Sequence, residues 1–308
     1  DIDTFGVEVL AVLRQYGVQN AAIVARLSGG PLEQTGVAQG MSGSPVFIDG
    51  KLIGAVAWTA TFTKEPLAGI TPYEYMDEIR ARPMSQPDAT RFTSAPLDPA
   101  DLWNPPTDTR APDWWSAPVT DVDWSFGPRL PDAWSSDPTL APYAGTEMVP
   151  IKTPVSVSGV DPRALGALQE LFEPFNMRVV QGGTMAAGEL ANTELAPGSS
   201  LGVVLATGDL NVTATGTVTW RDGDSVVGFG HPMFFKGHID FPMSTAQVHF
   251  VWPSQYISYK VASGGEIVGS IRQDRRFGVA GVLGDKPDML PVEVNILGGS
   301  GPHTIRYQ

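Results

Sequence analysis

A short serine segment flanked by glycines is the clearest place in this sequence where side chains could do chemistry. It reads Gly40-Met41-Ser42-Gly43-Ser44-Pro45. Glycines allow a tight turn and the close approach of another chain. Such a turn can aim the backbone N–H groups of Gly40 and Ser42 at one point, where they would stabilise the oxyanion of a tetrahedral intermediate. The segment therefore predicts Ser42 as a nucleophile, although a plain hairpin with a serine-rich turn would look similar.

His231 is the candidate base for this serine, because a hydroxyl is a poor nucleophile alone and imidazole has a suitable pKa. The sequence has four histidines, at positions 231, 238, 249 and 303. His231 is the best placed of them, since it stands between a strand pattern and a turn rich in Gly and Pro. The alternatives are a structural histidine and a zinc site of His231, His238 and Asp240, whose spacing matches no compact zinc motif.

Short strands and turns must position these two side chains. The chain holds 34 glycines and 27 prolines. Turn-forming residues at this frequency divide it into short apolar runs. Residues 45–48 and 52–58 flank Asp49-Gly50, and Asp-Gly between two apolar runs predicts a hairpin directly after the serine segment. Residues 197–297 return to short strands around the histidine. The sequence therefore predicts a mainly β protein.

The serine segment and its flanks resemble the SpoIVB-type family of serine peptidases, which have a chymotrypsin-like fold. The segment fits the GxSGxP pattern of chymotrypsin-like peptidases, and residues 5–10, 32–36 and 50–56 extend the similarity. Weaker pieces follow at 197–203, 216–219, 230–231 and 268–271. In the sporulation peptidases the histidine half precedes the serine half, and here the order is reversed. The resemblance therefore implies a double β-barrel in circularly permuted order, with an α/β and irregular insertion.

The same resemblance implies roles for individual residues. The reaction would be hydrolysis of peptide bonds through an acyl-enzyme on Ser42, with His231 as general base and without a cofactor. The substrate would be a protein or peptide. Its extended chain would pair with the strand edge at Ala57, Trp58 and Thr59.

An acid usually orients the histidine of such a site. The aspartate of the sporulation peptidases falls at about Ser28 in this sequence, where no acid stands. We predict Asp274 in its place, because it follows His231 and precedes a strand, much as the triad acid follows its histidine in chymotrypsin-like enzymes. Asp240 is the second choice, and a Ser–His dyad is also possible. Asp274 could instead be a turn residue that pairs with a neighbouring arginine.

Charge and composition exclude several other classes of protein. The net charge is −13 with only 20 Lys and Arg, and no basic stripe is present to bind nucleic acid. The absence of cysteine excludes thiol catalysis, Cys-ligated zinc and disulfides. No run approaches the roughly 20 apolar residues that span a bilayer. The family resemblance, rather than composition, predicts a secreted or periplasmic protein of the bacterial cell envelope.

Four segments are predicted along the chain. Residues 1–82 form the serine-bearing barrel half, 83–150 an irregular Pro/Trp-rich segment, 151–196 a small strand–helix–strand insertion, and 197–308 the histidine-bearing half. The irregular segment holds Trp103, Trp114, Trp115, Trp124 and Trp134. Two rival functions follow: a catalytically inactive binding or scaffold module of the same fold, and a carbohydrate-binding or surface-assembly protein that uses these tryptophans.

Overall fold

The computed structural model describes residues 2–16, 20–60, 63, 65–84, 127–183, 194–254, 256–297 and 303–308. In these residues the protein is mainly β, with sheets of six, eight and two strands. The mainly β prediction is therefore confirmed. Four of the five tryptophans of the irregular segment, at positions 103, 114, 115 and 124, lie outside the described residues.

The six-stranded sheet carries the serine segment. Its strands are β1 (Gly6–Tyr16), β2 (Asn20–Ser28), β3 (Pro45–Ile48), β4 (Lys51–Ala60), β5 (Leu67–Pro72) and β6 (Met148–Pro150). They are ordered β1-β2-β5-β4-β3, and β6 pairs with the edge of β4 opposite β5, beyond the end of β3. Helix α1 (Leu32–Thr35) precedes the serine segment, and helix α2 (Tyr73–Arg80) follows β5. The β3–β4 turn has positive φ at both Asp49 and Gly50, the geometry that Asp-Gly favours in a tight hairpin.

The eight-stranded sheet carries the histidine. Its strands are β7 (Thr153–Ser158), β8 (Met177–Gln181), β9 (Ser200–Ala206), β10 (Asn211–Asp222), β11 (Ser225–Gly228), β12 (Gly237–Trp252), β13 (Tyr259–Arg275) and β14 (Gly278–Leu283). Their order is β11-β14-β13-β12-β9-β10-β7-β8, and β10 also pairs with β11. Six strands thus form a closed cycle of pairings. No pairing within the described residues closes the serine sheet in this way.

Smaller elements complete the fold. Helix α3 (Leu165–Phe172) connects β7 to β8, which run parallel. Short 3₁₀ turns cover Asp132–Ser136, Ala141–Tyr143, Pro162–Ala164 and Glu173–Phe175. Strands β15 (Val292–Ile296) and β16 (His303–Tyr307) form the two-stranded sheet. Strands β7 and β8, expected in a separate insertion, lie at the edge of the histidine sheet, and β6 extends the serine sheet.

The two large sheets meet through buried contacts. One apolar cluster takes Ala55 and Met76 from the serine half, and Val227 and Ala280 from the histidine half. Apolar burial of this kind stabilises an interface by roughly 25 cal/mol per Å². The contact therefore holds the serine and histidine segments against each other. The double-barrel arrangement in permuted order stays a prediction.

Candidate active site

The serine loop (residues 39–44) is fixed to both large sheets by backbone hydrogen bonds. On the serine side, Gly43 N donates to Val56 O at 2.8 Å, and Val56 N donates to Ser44 O at 3.0 Å. On the histidine side, Thr217 N of β10 donates to Ser42 O at 2.9 Å. Backbone groups make all three bonds, so they hold the loop whatever side chains it carries.

Gly43 allows the loop to approach the histidine half very closely. Its φ is +91°, a left-handed conformation that favours glycine. A Cβ atom at this position would lie 2.1 Å from Thr217 O and 2.5 Å from Phe229 N. Phe229 begins the histidine turn (residues 229–236), which follows β11. The fold thus brings together the two segments that sequence analysis paired.

Two amides of the serine loop are left free. The N–H groups of Met41, Gly43 and Ser44 donate to the carbonyl groups of Ala38, Val56 and Met41, respectively. Those of Gly40 and Ser42 make no hydrogen bond within the described part of the chain. They are the two donors predicted to bind an oxyanion. Free N–H groups beside a nucleophilic hydroxyl can stabilise the negative charge of a tetrahedral intermediate.

The histidine turn begins with a sharp reversal of the backbone. Phe229 and Gly230 both adopt left-handed conformations, with φ of 70° and 69°. Such a conformation costs a non-glycine residue about 1–3 kcal/mol and is concentrated at functional sites. Thr71 Oγ1 donates to Gly230 O at 2.6 Å, which ties the reversal to the serine sheet. The start of the turn, directly before His231, is therefore held against the serine sheet.

His231 is buried, with 1% of its surface exposed. Its Nδ1 lies 2.8 Å from Pro232 O. A carbonyl oxygen can only accept, so Nδ1 carries the proton and Nε2 keeps its lone pair. Burial lowers the pKa of His231 to about 4, so the ring is neutral at pH 7. This tautomer is the one that can take a proton at Nε2.

The atoms of the candidate nucleophile and the candidate base are unpaired in the described part of the chain. His231 Nε2 and Ser42 Oγ are both buried, and neither has a hydrogen-bond partner among the residues described. They therefore do not bond each other here. Catalytic hydrogen bonds of this kind are often long before substrate binds.

Asp274 lies beside the histidine turn and not on the imidazole. Its carboxylate accepts hydrogen bonds from the backbone N–H groups of Met233 at 2.8 Å and Phe234 at 2.7 Å, and a longer one from Lys236 at 3.3 Å. Burial raises its pKa to about 6, although these hydrogen bonds oppose the shift. Asp274 thus orients the turn, and Pro232 O, rather than the predicted acid, orients the ring.

Asp240, the second choice for the acid, is engaged elsewhere. It forms an ion pair with Arg272 at 2.7 Å, and Arg272 also pairs with Asp285 at 2.7 Å. Arg272 is largely buried, so its charge needs these partners. The geometry gives Asp240 a structural role.

The comparison with known families supports the reading of the serine segment. The model of the SpoIVB peptidase S55 family matches residues 1–75 of the chain. The matched part contains Ser42 and its strands, so the predicted resemblance is confirmed there and indicates a serine peptidase. The S55 match does not reach His231, and the permuted order stays a prediction. No curated protein and no solved structure matches the chain.

Lys260 is a charged neighbour of the serine loop that sequence analysis missed. Its Nζ lies 3.2 Å from Thr217 Oγ1, which donates to Gly40 O at 3.1 Å. Its backbone N donates to Gln39 O at 3.0 Å. Burial lowers the pKa of Lys260 to about 8, so most molecules carry the charge at pH 7. No motif marks this lysine, because β13 reaches the loop only through the fold.

The strand edge predicted to receive substrate is already paired. Strand β6 pairs with β4 at Trp58 and Thr59. The next residue along, Ile151, donates its N–H to Ala57 O at 3.0 Å. A short strand from later in the chain therefore occupies the edge of β4 next to the serine loop.

Other kinds of site find little support in the described ranges. They contain no group of three or more His, Cys, Asp or Glu side chains that could hold a metal ion. None of their helices is long and apolar enough to cross a membrane. Trp134 packs against an apolar cluster that contains Trp58, which favours a packing role for Trp134 over sugar binding.

Proposed function

We propose that this protein is a serine endopeptidase in which Ser42 attacks the peptide carbonyl and His231 is the general base. The observation that carries the proposal is the tautomer of His231. Pro232 O fixes the proton on Nδ1, and Nε2 is unpaired in a turn that contacts the serine loop. The S55 family match of residues 1–75 independently supports a serine peptidase.

The proposed chemistry is acyl transfer to water. Ser42 Oγ bonds to the substrate carbonyl carbon while its proton passes to His231 Nε2. The free N–H groups of Gly40 and Ser42 stabilise the oxyanion, and the nearby charge of Lys260 favours the same negative species. The carbon–nitrogen bond then breaks, and Nε2 gives the proton to the leaving amine. Water attacks the acyl-enzyme by the same route, and no cofactor takes part.

The proposal assigns Asp274 a positioning role. Nδ1–H remains bonded to Pro232 O while Nε2 gains and loses its proton. The carboxylate holds the amides of the same turn, so it fixes where that carbonyl stands. Its negative charge also favours the imidazolium formed during the reaction. The site therefore works as a Ser–His dyad on a turn that a buried acid stabilises.

A fluorophosphonate probe tests the function directly, because it bonds covalently to an activated serine. We expect mass spectrometry after long incubation to find the probe on Ser42 in the intact protein. Ser42→Ala should abolish labelling. Ser44→Ala, a change in the adjacent loop serine, should keep it. A folded protein that stays unlabelled under all conditions would contradict the proposal.

One rival keeps support from a specific observation. The unpaired Ser42 and His231, and the absence of an acid on the imidazole, would suit a catalytically inactive binding or scaffold module of the same fold. That module would leave both Ser42 and Ser44 unlabelled. On the family resemblance alone we propose a secreted or periplasmic location, which cell fractionation tests.

A further inference from the structure

We propose that the covering strand (residues 148–151) lies in its own active site as a substrate strand would, and so closes the site. The inference rests on the proposed peptidase function and extends it to the substrate class. Accepted peptides would be extended and would place an aliphatic side chain where Ile151 lies. They would enter only when the covering strand leaves.

The first argument is the position of the occupied edge. The serine loop is bonded to β4 at Val56, so the next residues of β4 adjoin the nucleophile. The covering strand runs antiparallel to them, with Pro150 opposite Trp58 and Val149 opposite Thr59. In an antiparallel ladder, bonded and non-bonded pairs alternate. Because Ile151 N bonds Ala57 O, Pro150 falls at a non-bonded position, where its missing N–H costs nothing.

The second argument is the path of the chain after this strand. Pro154 Cγ lies 3.2 Å from the place where a Cβ of Gly40 would stand. Between Ile151 and Pro154 the chain therefore passes from the edge of β4 to Gly40, the residue whose amide is predicted to bind an oxyanion. A peptide cut by Ser42 has to follow the same course, with its extended side on β4 and its scissile carbonyl near that amide.

The third argument is the pocket that receives Ile151. Its side chain is 1% exposed and belongs to an apolar cluster with Val46 and Val56, against which Met41 packs. Burial of an aliphatic side chain of this size contributes about 1.5–3 kcal/mol, whereas an unpaired charge there would be strongly disfavoured. The pocket thus selects aliphatic residues and rejects acidic ones.

The fourth argument is access. Ser42 is 0% exposed and His231 is 1% exposed, so no substrate reaches them in this arrangement. Tyr143 precedes the covering strand and shares an apolar cluster with Met148 of that strand. Its hydroxyl accepts from Arg26 Nη2 at 2.9 Å and donates to Glu65, which attaches this part of the chain to the serine half. These bonds lie at a partly exposed position, where water can replace them. Loss of this attachment is a route by which the strand can leave.

Two variants loosen the covering strand in different ways. Ile151→Ala removes the buried anchor, and Tyr143→Phe removes the hydroxyl of the outer attachment. Glu147→Gln is the matched control, because this exposed side chain precedes the strand and lies outside the site. We expect the fluorophosphonate probe to label both loosened variants at least about tenfold faster than the unchanged protein, whereas the control should not change. Circular dichroism and thermal midpoints verify that each variant is folded.

A binding measurement separates the covering strand from the chemistry. In a Ser42→Ala background, fluorescence polarisation follows a labelled peptide Met-Val-Pro-Ile-Lys, which copies residues 148–152. Ile151→Ala should bind it more tightly than the Ser42→Ala parent does. The same peptide with Asp in place of Ile should bind at least about tenfold more weakly, because the charge enters an apolar pocket.

The possible outcomes distinguish the two proposals. If the peptide binds but no variant is labelled, the covering strand is supported and the peptidase function fails. If the unchanged protein is labelled as fast as both loosened variants, the covering strand is overturned while the peptidase function stands. Equal binding of the Ile and Asp peptides, or no binding by any folded variant, also overturns the inference.

Discussion

The serine loop and the histidine turn meet at one site but are built by different means. The loop takes its shape from glycines and from backbone hydrogen bonds, some between neighbouring residues and others to Val56 and Thr217. The turn depends on Asp274, a buried carboxylate supplied by β13 that binds three of its amides. The candidate nucleophile thus lies in a loop shaped by glycines and backbone bonds, whereas the turn of the candidate base depends on a buried carboxylate from another strand.

The two constructions should fail in different ways. An added atom in the serine loop meets backbone of the other half, so steric changes there should be costly. The amides of the histidine turn are instead bound by the carboxylate of Asp274. Loss of the carboxylate oxygens would leave these buried N–H groups unpaired. The following changes test this contrast, from the largest expected effect to the smallest.

Replacement of the proposed base should have the largest effect. We expect His231→Gln to lower kcat by about 10²–10⁴-fold, the usual contribution of a general base. His249→Gln is the control, because His249 bonds Ser263 Oγ at 2.9 Å and has no hydrogen bond to the serine loop among the described residues. Hydrolysis of an aliphatic peptide substrate, with circular dichroism as a check of folding, measures both. Equal activity of the two folded variants would remove His231 from the mechanism.

Changes at Asp274 separate a ring-orienting acid from a turn-holding one. Asp274→Ala leaves buried amides without an acceptor, so we expect about 3 kcal/mol or more of lost unfolding free energy, measured with urea. Asp274→Asn keeps an acceptor oxygen and should lose less. If Asp274 only holds the turn, the Asn variant should keep activity within about tenfold. A ring-orienting acid would instead give a loss near 10⁴-fold, as the Asp-to-Asn change does in a Ser-His-Asp triad.

The same contrast explains what could be predicted from sequence. Ser42, its glycines and the Asp49-Gly50 hairpin lie within one short stretch. The sequence of that stretch therefore indicates both the candidate chemistry and the local geometry. Lys260 and the covering strand lie next to the loop because β13 pairs with β12 and β6 pairs with β4. No periodicity in the sequence indicates these long-range pairings. For Asp274 the sequence indicated a nearby position but not its partners, because a carboxylate can bind amides or an imidazole equally well.

Gly43 tests the steric side of the contrast. A Cβ at Gly43 would lie 2.1 Å from Thr217 O, so Gly43→Ala has to push the two halves apart. We expect a loss of about 2–4 kcal/mol in unfolding free energy, from overpacking added to left-handed strain. Gly50→Ala is the matched control, since Gly50 also has positive φ but no atom within 4 Å of its Cβ position. Equal losses would mean that strain, and not contact between the halves, accounts for the effect.

The pH dependence of kcat/KM is the most subtle test, because it reports the surroundings of the imidazole. Only neutral His231 can accept the proton, so activity is lost as pH falls through its pKa. Burial places that pKa at about 4, below the ordinary 6.5, and the acid limb of the closed protein should lie near the lower value. In Tyr143→Phe, an opened site readmits water, the penalty on the imidazolium falls, and the limb should move toward 6.5.

Two neighbouring groups, Asp274 and Lys260, also titrate, and their effects on the pH profile can be separated from that of His231. Asp274 has a raised pKa of about 6, and Asp274→Asn eliminates its titration without removing the acceptor. Lys260, with a lowered pKa of about 8, would affect only the alkaline side. If the acid limb of the Asn variant still moves when Tyr143 is changed to Phe, the imidazole itself has become more exposed. An acid limb that stays fixed would show that burial of His231 does not depend on the covering strand.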